Sequence, residues 1–388
     1  MSKIGLVAVT NHNYGSILQT FALQEAVRAH GHETEILKYA EPPIAKIKRF
    51  KNFEYGKTRL KRVYRNFVIG TLYKHHKQNL STRAKAFQHF INSELSMTVA
   101  CHSLSDLTCL CHRYDAILLG SDQVWHPMNL EMNFFTLNFV PAEVKKGAYA
   151  PSFGVSKLPV SYEEPYKKFI SRIEYVSCRE KAGTALIEKL TGKKVPMVCD
   201  PTLLLNGSEW AAIADRCVSK EEDVNLGEDP YIFCYFIGNN PNQRKLVNEF
   251  KIKHGCKVVA LQHINEYIPS DEEYADYTPY NVGPAEFLQL VRNAEYVMTD
   301  SFHASVFSLQ FHRNFYVFDR FENGVGNSTT SRIDSLLGKV GLMDRKIRHD
   351  ASLADLDGVG VIDYHNVDLK LSEFRKTSQE YLSSIIDG

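Results

Sequence analysis

The feature that most constrains this chain is its opening alternation. An apolar run from Lys3 to Thr10 breaks at the polar turn Asn11-His12-Asn13-Tyr14-Gly15-Ser16. It resumes with Leu18, Phe21, Ala22, Leu23, Ala26 and Val27 at the i, i+3, i+4 spacing of one helix face. Gly31 closes a helix expected over Ile17–His30, and Glu33–Tyr39 supplies a second strand. Strand, helix and strand in this order form a βαβ unit, which builds a doubly wound parallel sheet. Its first loop lies at the carboxyl end of a strand, where such sheets bind ligands.

The alternation returns in Ala116–Gly120, Lys146–Ala150, Tyr175–Arg179 and Val195–Val198. After a polar, acidic stretch from Glu209 to Asp229 it starts again: strands at Tyr231–Ile237, Lys257–Leu261, Tyr296–Thr299 and Phe315–Phe318, helices at Gln243–His254, Pro284–Asn293 and Ala304–Phe311. At ~100–200 residues per domain, 388 residues make about two domains. The expected architecture is α/β, with two Rossmann-like domains and a cleft between them. The first spans 1–205 with a basic helical insertion at about 45–110; the second spans 206–388 with a closing helix at about 372–386.

Lys+Arg 46 against Asp+Glu 45 leaves a formal charge of +1, so a charged partner must be met by a local patch, and no nucleic-acid partner is expected. The one strong patch is 46–85, where thirteen Lys and Arg stand against the single acid Glu54, with Tyr, Phe, Leu and Val interleaved. It reads either as a surface for anionic lipid or an anionic substrate, or as a solvated basic face. No apolar run approaches the ~20 residues of a membrane span, and the N-terminus reads as a strand without a cleavage site. Eight cysteines scattered over a chain this long do not form a secreted disulfide pattern. The expected location is the cytoplasm, with peripheral contact at the inner face of the membrane. Cys101-His102, Cys109 and Cys111-His112 lack a Cys-x-x-Cys pair and read as buried thiols, so no metal is expected. No HExxH, GxxxxGK[ST] or GxSxG pattern is present.

Four clusters carry chemistry. Asn13, Gly15 and Ser16 stand where a helix N-terminus offers N–H groups to a phosphate or carboxylate, or where they only cap the helix. Ser121-Asp122-Gln123-Val124-Trp125-His126 follows a buried strand. Trp125 and His126 suit a sugar ring and Asp122 suits a hydroxyl proton, unless Ser121 and Asp122 merely cap and Trp125 is core. Ser177-Cys178-Arg179-Glu180 ends a strand; Arg179 offers a fork to an anion, or forms a surface pair with Glu180. Asp300-Ser301-Phe302-His303 sets a histidine on the first turn of a helix, able to donate to an anion or move a proton. Downstream, Asn327, Ser331 and Arg332 end the Gly-rich loop 322–326, a candidate lid.

Taken in order, these motifs resemble the polysaccharide pyruvyl transferase family. The matching stretches are NYGSILQTFALQ (Asn13–Gln24), LLGSDQVW (Leu118–Trp125), YAPSFG (Tyr149–Gly154), SCRE (Ser177–Glu180), DPTLLL (Asp200–Leu205) and DSFHASVF (Asp300–Phe307). The resemblance runs from about residue 3 to 345 and is weakest over 45–110. It implies a fold like that of GT-B glycosyltransferases with the active site in the interdomain cleft. It also implies transfer of the enolpyruvyl carbons of phosphoenolpyruvate onto two hydroxyls of a sugar in a surface-polysaccharide precursor, giving a cyclic ketal.

For that chemistry the expected roles are His303 as acid, Asp122 as base with His126 the weaker alternative, and Arg179, Arg332, Ser301, Gly15 and Ser16 around the donor. Asn13, Gln123, Trp125 and His126 are expected around the acceptor, a sugar or lipid-linked oligosaccharide. No cofactor is expected beyond phosphoenolpyruvate as donor substrate. The chain departs from the family at Ser301-Phe302-His303, where studied members carry Arg-Leu-His with the arginine on phosphoenolpyruvate; Arg332, Arg320 or Ser301 is left to replace it. A nucleotide-sugar glycosyltransferase of similar build is the alternative, and a non-catalytic glycan-binding protein a third reading.

Overall fold

In a computed structural model the described residues are 1–41, 74–217, 229–263, 268, 270–320 and 331–388. Most of the basic stretch 46–85 and the Gly-rich loop with Asn327 therefore lie outside the described residues. Contacts divide the chain into two compact units.

The first unit carries a five-stranded sheet of β1 (Lys3–Val7), β2 (Glu33–Ile36), β3 (Ala116–Leu119), β4 (Lys145–Ala148) and β5 (Tyr175–Val176). Every neighbouring pair is parallel, in the order β2-β1-β3-β4-β5. Ile4, Leu6, Ile117, Leu118 and Leu119 are fully buried, as expected of a parallel sheet covered on both faces. Helix α1 (Tyr14–Ala29) starts three residues earlier than its apolar stripe suggested, because the Asn13 carboxamide caps it by accepting from the Ser16 amide. The segment expected as a strand at Val195–Val198 makes only an isolated bridge, Met197 with Cys178.

The second unit repeats the plan. Its strands are β6 (Tyr231–Tyr235), β7 (Lys257–Ala260), β8 (Tyr296–Thr299), β9 (Asn314–Phe318) and the two-residue β10 (Lys346–Ile347). The parallel order is β10-β9-β8-β6-β7, so within each unit the first strand lies between the second and the third. In both sheets the winding reverses beside that first strand, and the carboxyl ends of the two strands flanking the reversal form the crevice in which doubly wound sheets bind ligands.

Two segments group differently from the expected boundaries. The first unit includes Glu373–Gly388 and the second includes Phe67–Phe90. Helix α13 (Tyr364–Ile386) thus begins in the second unit and ends in the first. There the Cys199 amide donates to Ser378 Oγ at 2.9 Å, and a Cβ on Gly147 would stand 2.5 Å from Ile385 Cγ2, so the helix sits against the backbone of β4. Helix α2 (Lys74–Glu94) is anchored within the second unit by Arg83. Its buried guanidinium donates to the carbonyls of Gln262 at 2.5 Å and Pro279 at 3.2 Å and lies over the Tyr280 ring. A local basic pattern reveals neither attachment, because each partner is remote in sequence. Among the described residues no helix is long and apolar enough to cross a membrane.

Candidate active site

The reversal in the first sheet brings the turn after β1 against the turn after β3. Asp122 sits just past β3 with φ 76°, a conformation rare outside glycine. The reason is local: the Asp122 carbonyl accepts from the Ser152 amide at 2.8 Å, pairing this turn with the one after β4 and turning the carboxylate toward α1. Ser16 Oγ donates to Asp122 Oδ2 at 2.5 Å, and the Gln123 amide donates to Oδ1 at 2.7 Å.

Behind this carboxylate lies Arg179, 4% exposed. Its Nη1 pairs with Asp200 Oδ2, and its Nη2 is 4.0 Å from Asp122 Oδ1. Burial works against the guanidinium charge, but Asp200, Asp122 and Glu180 outweigh it and raise the Arg179 pKa further. Glu180 is itself buried, with Oε1 accepting from Ser152 Oγ and the Phe153 amide, both at 3.0 Å. The stretches SDQVW, YAPSFG, SCRE and DPT are thereby joined in one polar cluster of three carboxylates and one guanidinium. That balance sets what surrounds Arg179 and Ser16, two residues expected around the donor. The Arg179 charge is already answered by carboxylates, and the single hydroxyl proton of Ser16 is spent on Asp122.

Trp125 is corrected. It is 2% exposed, packs edge-on against Phe153 and Phe169, and donates Nε1–H to the Phe135 carbonyl at 3.2 Å, so it is core and presents no face to a sugar. His126 is half-buried, and its Nδ1 accepts from the Met128 amide at 3.3 Å. Gln123 is half-buried and lies against Gly154. The Asn13 side chain serves as the cap of α1, and Gly15 is buried in that helix's first turn.

At the reversal of the second sheet Asp300 follows β8. Its Oδ1 accepts from the Ile237 amide at 2.7 Å and its Oδ2 from the Gly238 amide at 2.8 Å, tying the ends of β8 and β6 together. Arg320, just past β9, closes on the same acid: Nε lies 3.3 Å from Oδ2 and Nη2 donates to the Asp300 carbonyl at 2.9 Å. Ser301 caps α10 (Phe302–Gln310), which puts His303 on the first turn, 7% exposed. The Phe302 ring stands edge-on to His303 at 5.2 Å, and the guanidinium of Arg332, on α11 (Ser331–Val340), lies 5.9 Å from the centre of that ring. Ser301, His303 and Arg332 are thus gathered about one helix start, with Arg320 beside them on Asp300.

Asp200, Ser121 and Asp300 carry more of this geometry than sequence reasoning assigned them. Asp200 stood in the DPT motif, but its partners Arg179 and Ser121 lie 21 and 79 residues away. A third buried network was not foreseen: Arg244 Nε donates to Asp271 Oδ1 at 3.0 Å, and His263 Nδ1 lies 2.6 Å from Asp271 Oδ2. Among the described residues no cluster of His, Cys, Asp and Glu is arranged to hold a metal ion.

The fold is similar to that of the UDP-GlcNAc 2-epimerase of Neisseria meningitidis bound to UDP-GlcNAc, at 9% identity and a TM-score of 0.51, over 98% of this chain and 94% of that one. It is also similar to a putative UDP-N-acetylglucosamine 2-epimerase of Listeria monocytogenes, at 11% identity and a TM-score of 0.51, over 99% of this chain and 91% of that one. At such identities the likeness speaks for the fold alone: two parallel-sheet α/β domains of the GT-B kind. No curated protein sequence matches the chain. The sequence profile described as polysaccharide pyruvyl transferase matches residues 13–322, a span holding every candidate site residue but Arg332. The chain belongs to the polysaccharide pyruvyl transferase family, and with that membership comes pyruvyl transfer in polysaccharide biosynthesis.

Proposed function

We propose that the protein transfers the enolpyruvyl carbons of phosphoenolpyruvate onto two hydroxyls of a sugar, forming a cyclic ketal and releasing phosphate. The observation that carries this reading is the helix start of the second unit, where His303 and Arg332 both lie against the Phe302 ring. A protonatable ring and a guanidinium on one apolar support suit a donor that must be held as an anion and protonated on carbon. Arg332, with Arg320 beside Asp300, takes the place of the arginine that the family sequence has at position 301.

The reaction needs three proton movements. His303 gives a proton to the methylene carbon of the donor, which becomes a methyl group and leaves a cation-like centre at the neighbouring carbon. The first sugar hydroxyl attacks that centre and passes its proton to Asp122. The bond to the phosphate oxygen then breaks, and the second hydroxyl closes the ring. Of the two hydroxyl protons, one balances the proton added to carbon and the other leaves with hydrogen phosphate. The carboxylate-rich cluster of the first unit suits this acceptor role, because its charge would repel an anionic donor and attract hydroxyl protons.

The acceptor in this reading is a sugar or lipid-linked oligosaccharide, and the Lys/Arg excess of 46–85 supports peripheral contact with an anionic membrane. The test is phosphate release from phosphoenolpyruvate in the presence of candidate glycans. Release that requires a sugar with a free diol supports the assignment. Release from a nucleotide sugar, with phosphoenolpyruvate inert, replaces it with glycosyl transfer.

A further inference from the structure

Asp200 has no part in the reaction as drawn, yet its buried carboxylate is engaged on both oxygens. It is 1% exposed and caps the turn Pro201–Leu203. Oδ1 accepts from the Thr202 amide at 3.0 Å and from Thr202 Oγ1 at 2.7 Å. Oδ2 accepts from Arg179 Nη1 and lies 3.1 Å from Ser121 Oγ, whose single proton is shared with the Ala150 carbonyl at 2.7 Å. Three donors and the shared Ser121 hydroxyl engage both oxygens and fix the carboxylate's position. Its backbone is held as well, with the Leu203 amide on the Asp200 carbonyl at 2.8 Å and the preceding Cys199 amide on Ser378 Oγ at 2.9 Å.

The consequence falls on Arg179. One guanidinium is shared by two carboxylates: it pairs directly with Asp200 and stands off Asp122 by 4.0 Å. The charged groups around this guanidinium are Asp122 after β3, Asp200 before the 201–203 turn, and Glu180 next to it in the chain. Ser16 on α1 reaches Asp122 through its hydroxyl, and His126 lies on Asp122's own turn. Cys178 and Tyr149, buried nearby, are held neutral by burial, which pushes both pKa values up. Without the Asp200 charge, the direct partner of Nη1 is lost and the pull of Asp122 on the guanidinium, 4.0 Å away, is no longer opposed from that side. Arg179 already lies at ion-pair distance from Asp122; closing to hydrogen-bond distance would favour the charged carboxylate further and lower its pKa, which makes a poorer base.

We infer that Asp200 is a positioning residue, one that holds Arg179 back from Asp122 and so keeps Asp122 able to accept a hydroxyl proton from the acceptor. The role of Asp122 rests on the proposed function; the competition for Arg179 does not. Asp200→Asn keeps the shape and removes the charge. With aspartate carboxyls labelled with carbon-13, the Asp122 resonance in Asp200→Asn should titrate about one pH unit lower than in the wild type. In the Arg179→Gln background, Asp200→Asn should leave it within about 0.3 unit, because the coupling runs through the arginine. An Asp122 midpoint unmoved by Asp200→Asn overturns the inference.

Should Asp200→Asn fail to fold, the wild type alone decides: Asp200 must titrate below Asp122, and the reverse order overturns the inference. In turnover, Asp200→Asn should lower kcat about tenfold with acceptor KM unchanged, and move the acid limb of the kcat profile to lower pH. A uniform loss of activity with an unshifted limb contradicts a positioning role. If the wild type shows no pyruvyl transfer but the resonances behave as stated, the proposed function fails and the Asp200 inference stands.

Discussion

Ser16 Oγ donates to Asp122 Oδ2 at 2.5 Å, and this bond joins the turns after β1 and β3 where the winding of the first sheet reverses. The second sheet has its counterpart in Asp300, which accepts from the amides of Ile237 and Gly238 after β6. Each unit therefore uses an aspartate to fasten the crevice at which its fold binds ligands. The two fastenings differ in charge. The first shares Arg179 with the carboxylates Asp200 and Glu180, whereas the second pairs with Arg320 and leads into the helix start about which His303 and Arg332 gather.

Asp122→Asn should fold as the wild type does, because it keeps the shape of a side chain that already occupies this backbone, φ 76° and ψ −176°, and removes only the charge. Turnover should fall by ~10²–10⁴, the usual range for losing a general base. Asp122→Val adds a branched side chain at that φ and should also lose ~1–3 kcal/mol of stability. Thermal melting and steady-state rates on the pair separate the two effects, and wild-type turnover in Asp122→Asn would remove the base assignment.

His303→Gln keeps a polar side chain of similar reach on the first turn of α10 and should lower turnover by ~10²–10⁴ with little change in melting temperature. Donor binding by calorimetry should persist in this variant. A variant that turns over normally would show that the proton for the methylene carbon comes from elsewhere.

Arg179→Gln should lose stability before it loses anything specific to the donor. It leaves Asp200 buried without its ion partner, a situation that costs ~3–5 kcal/mol. Urea denaturation at constant slope measures this, and a stability unchanged from the wild type would mean that the pair is not formed in solution.

Gly238 marks where the second unit has no room. A Cβ there would stand 2.5 Å from Arg320 Cγ and 2.8 Å from Asp300 Oδ2, so Gly238→Ala must displace the arginine from its acid. Charge-assisted contacts are worth ~1.5–3 kcal/mol, so phosphoenolpyruvate affinity should drop about tenfold or more. Acceptor binding should be unaffected.

Asp271 sets an acid limit on the second unit. Burial alone would raise its pKa, but the hydrogen bond from His263 and the charge of Arg244 prevail and lower it below the ordinary 3.8. A carboxyl with a depressed folded pKa contributes stability that is complete above its unfolded value and lost as pH falls through the folded one. Acid unfolding followed from pH 5 downward should be less steep in Asp271→Asn, and an unchanged slope would contradict this.

The sheets were legible in the sequence because parallel strands covered on both faces are nearly unbroken apolar runs; Tyr296–Thr299 and Pro284–Asn293 fall where their patterns end. Helix starts were less so. Helices α1 and α10, capped by Asn13 and Ser301, begin three and two residues before the expected starts at Ile17 and Ala304, because a cap is set by one side chain and leaves no periodic trace. Two-residue strands such as β10 are too short to show a period. Site residues were found by type and misassigned by partner. Trp125 looked like a ligand group because a sequence shows an indole but not the Phe135 carbonyl that takes up its donor, and the pairing of Arg179 with Asp200 is equally invisible there.

The central claim is that phosphoenolpyruvate is the donor, held in the second unit. Calorimetric titration of the purified protein with phosphoenolpyruvate, beside a panel of nucleotide sugars, tests it most directly. Saturable phosphoenolpyruvate binding that survives Asp122→Asn and weakens in Arg332→Gln is the expected result. No phosphoenolpyruvate binding, with a nucleotide sugar bound in its place, would contradict it.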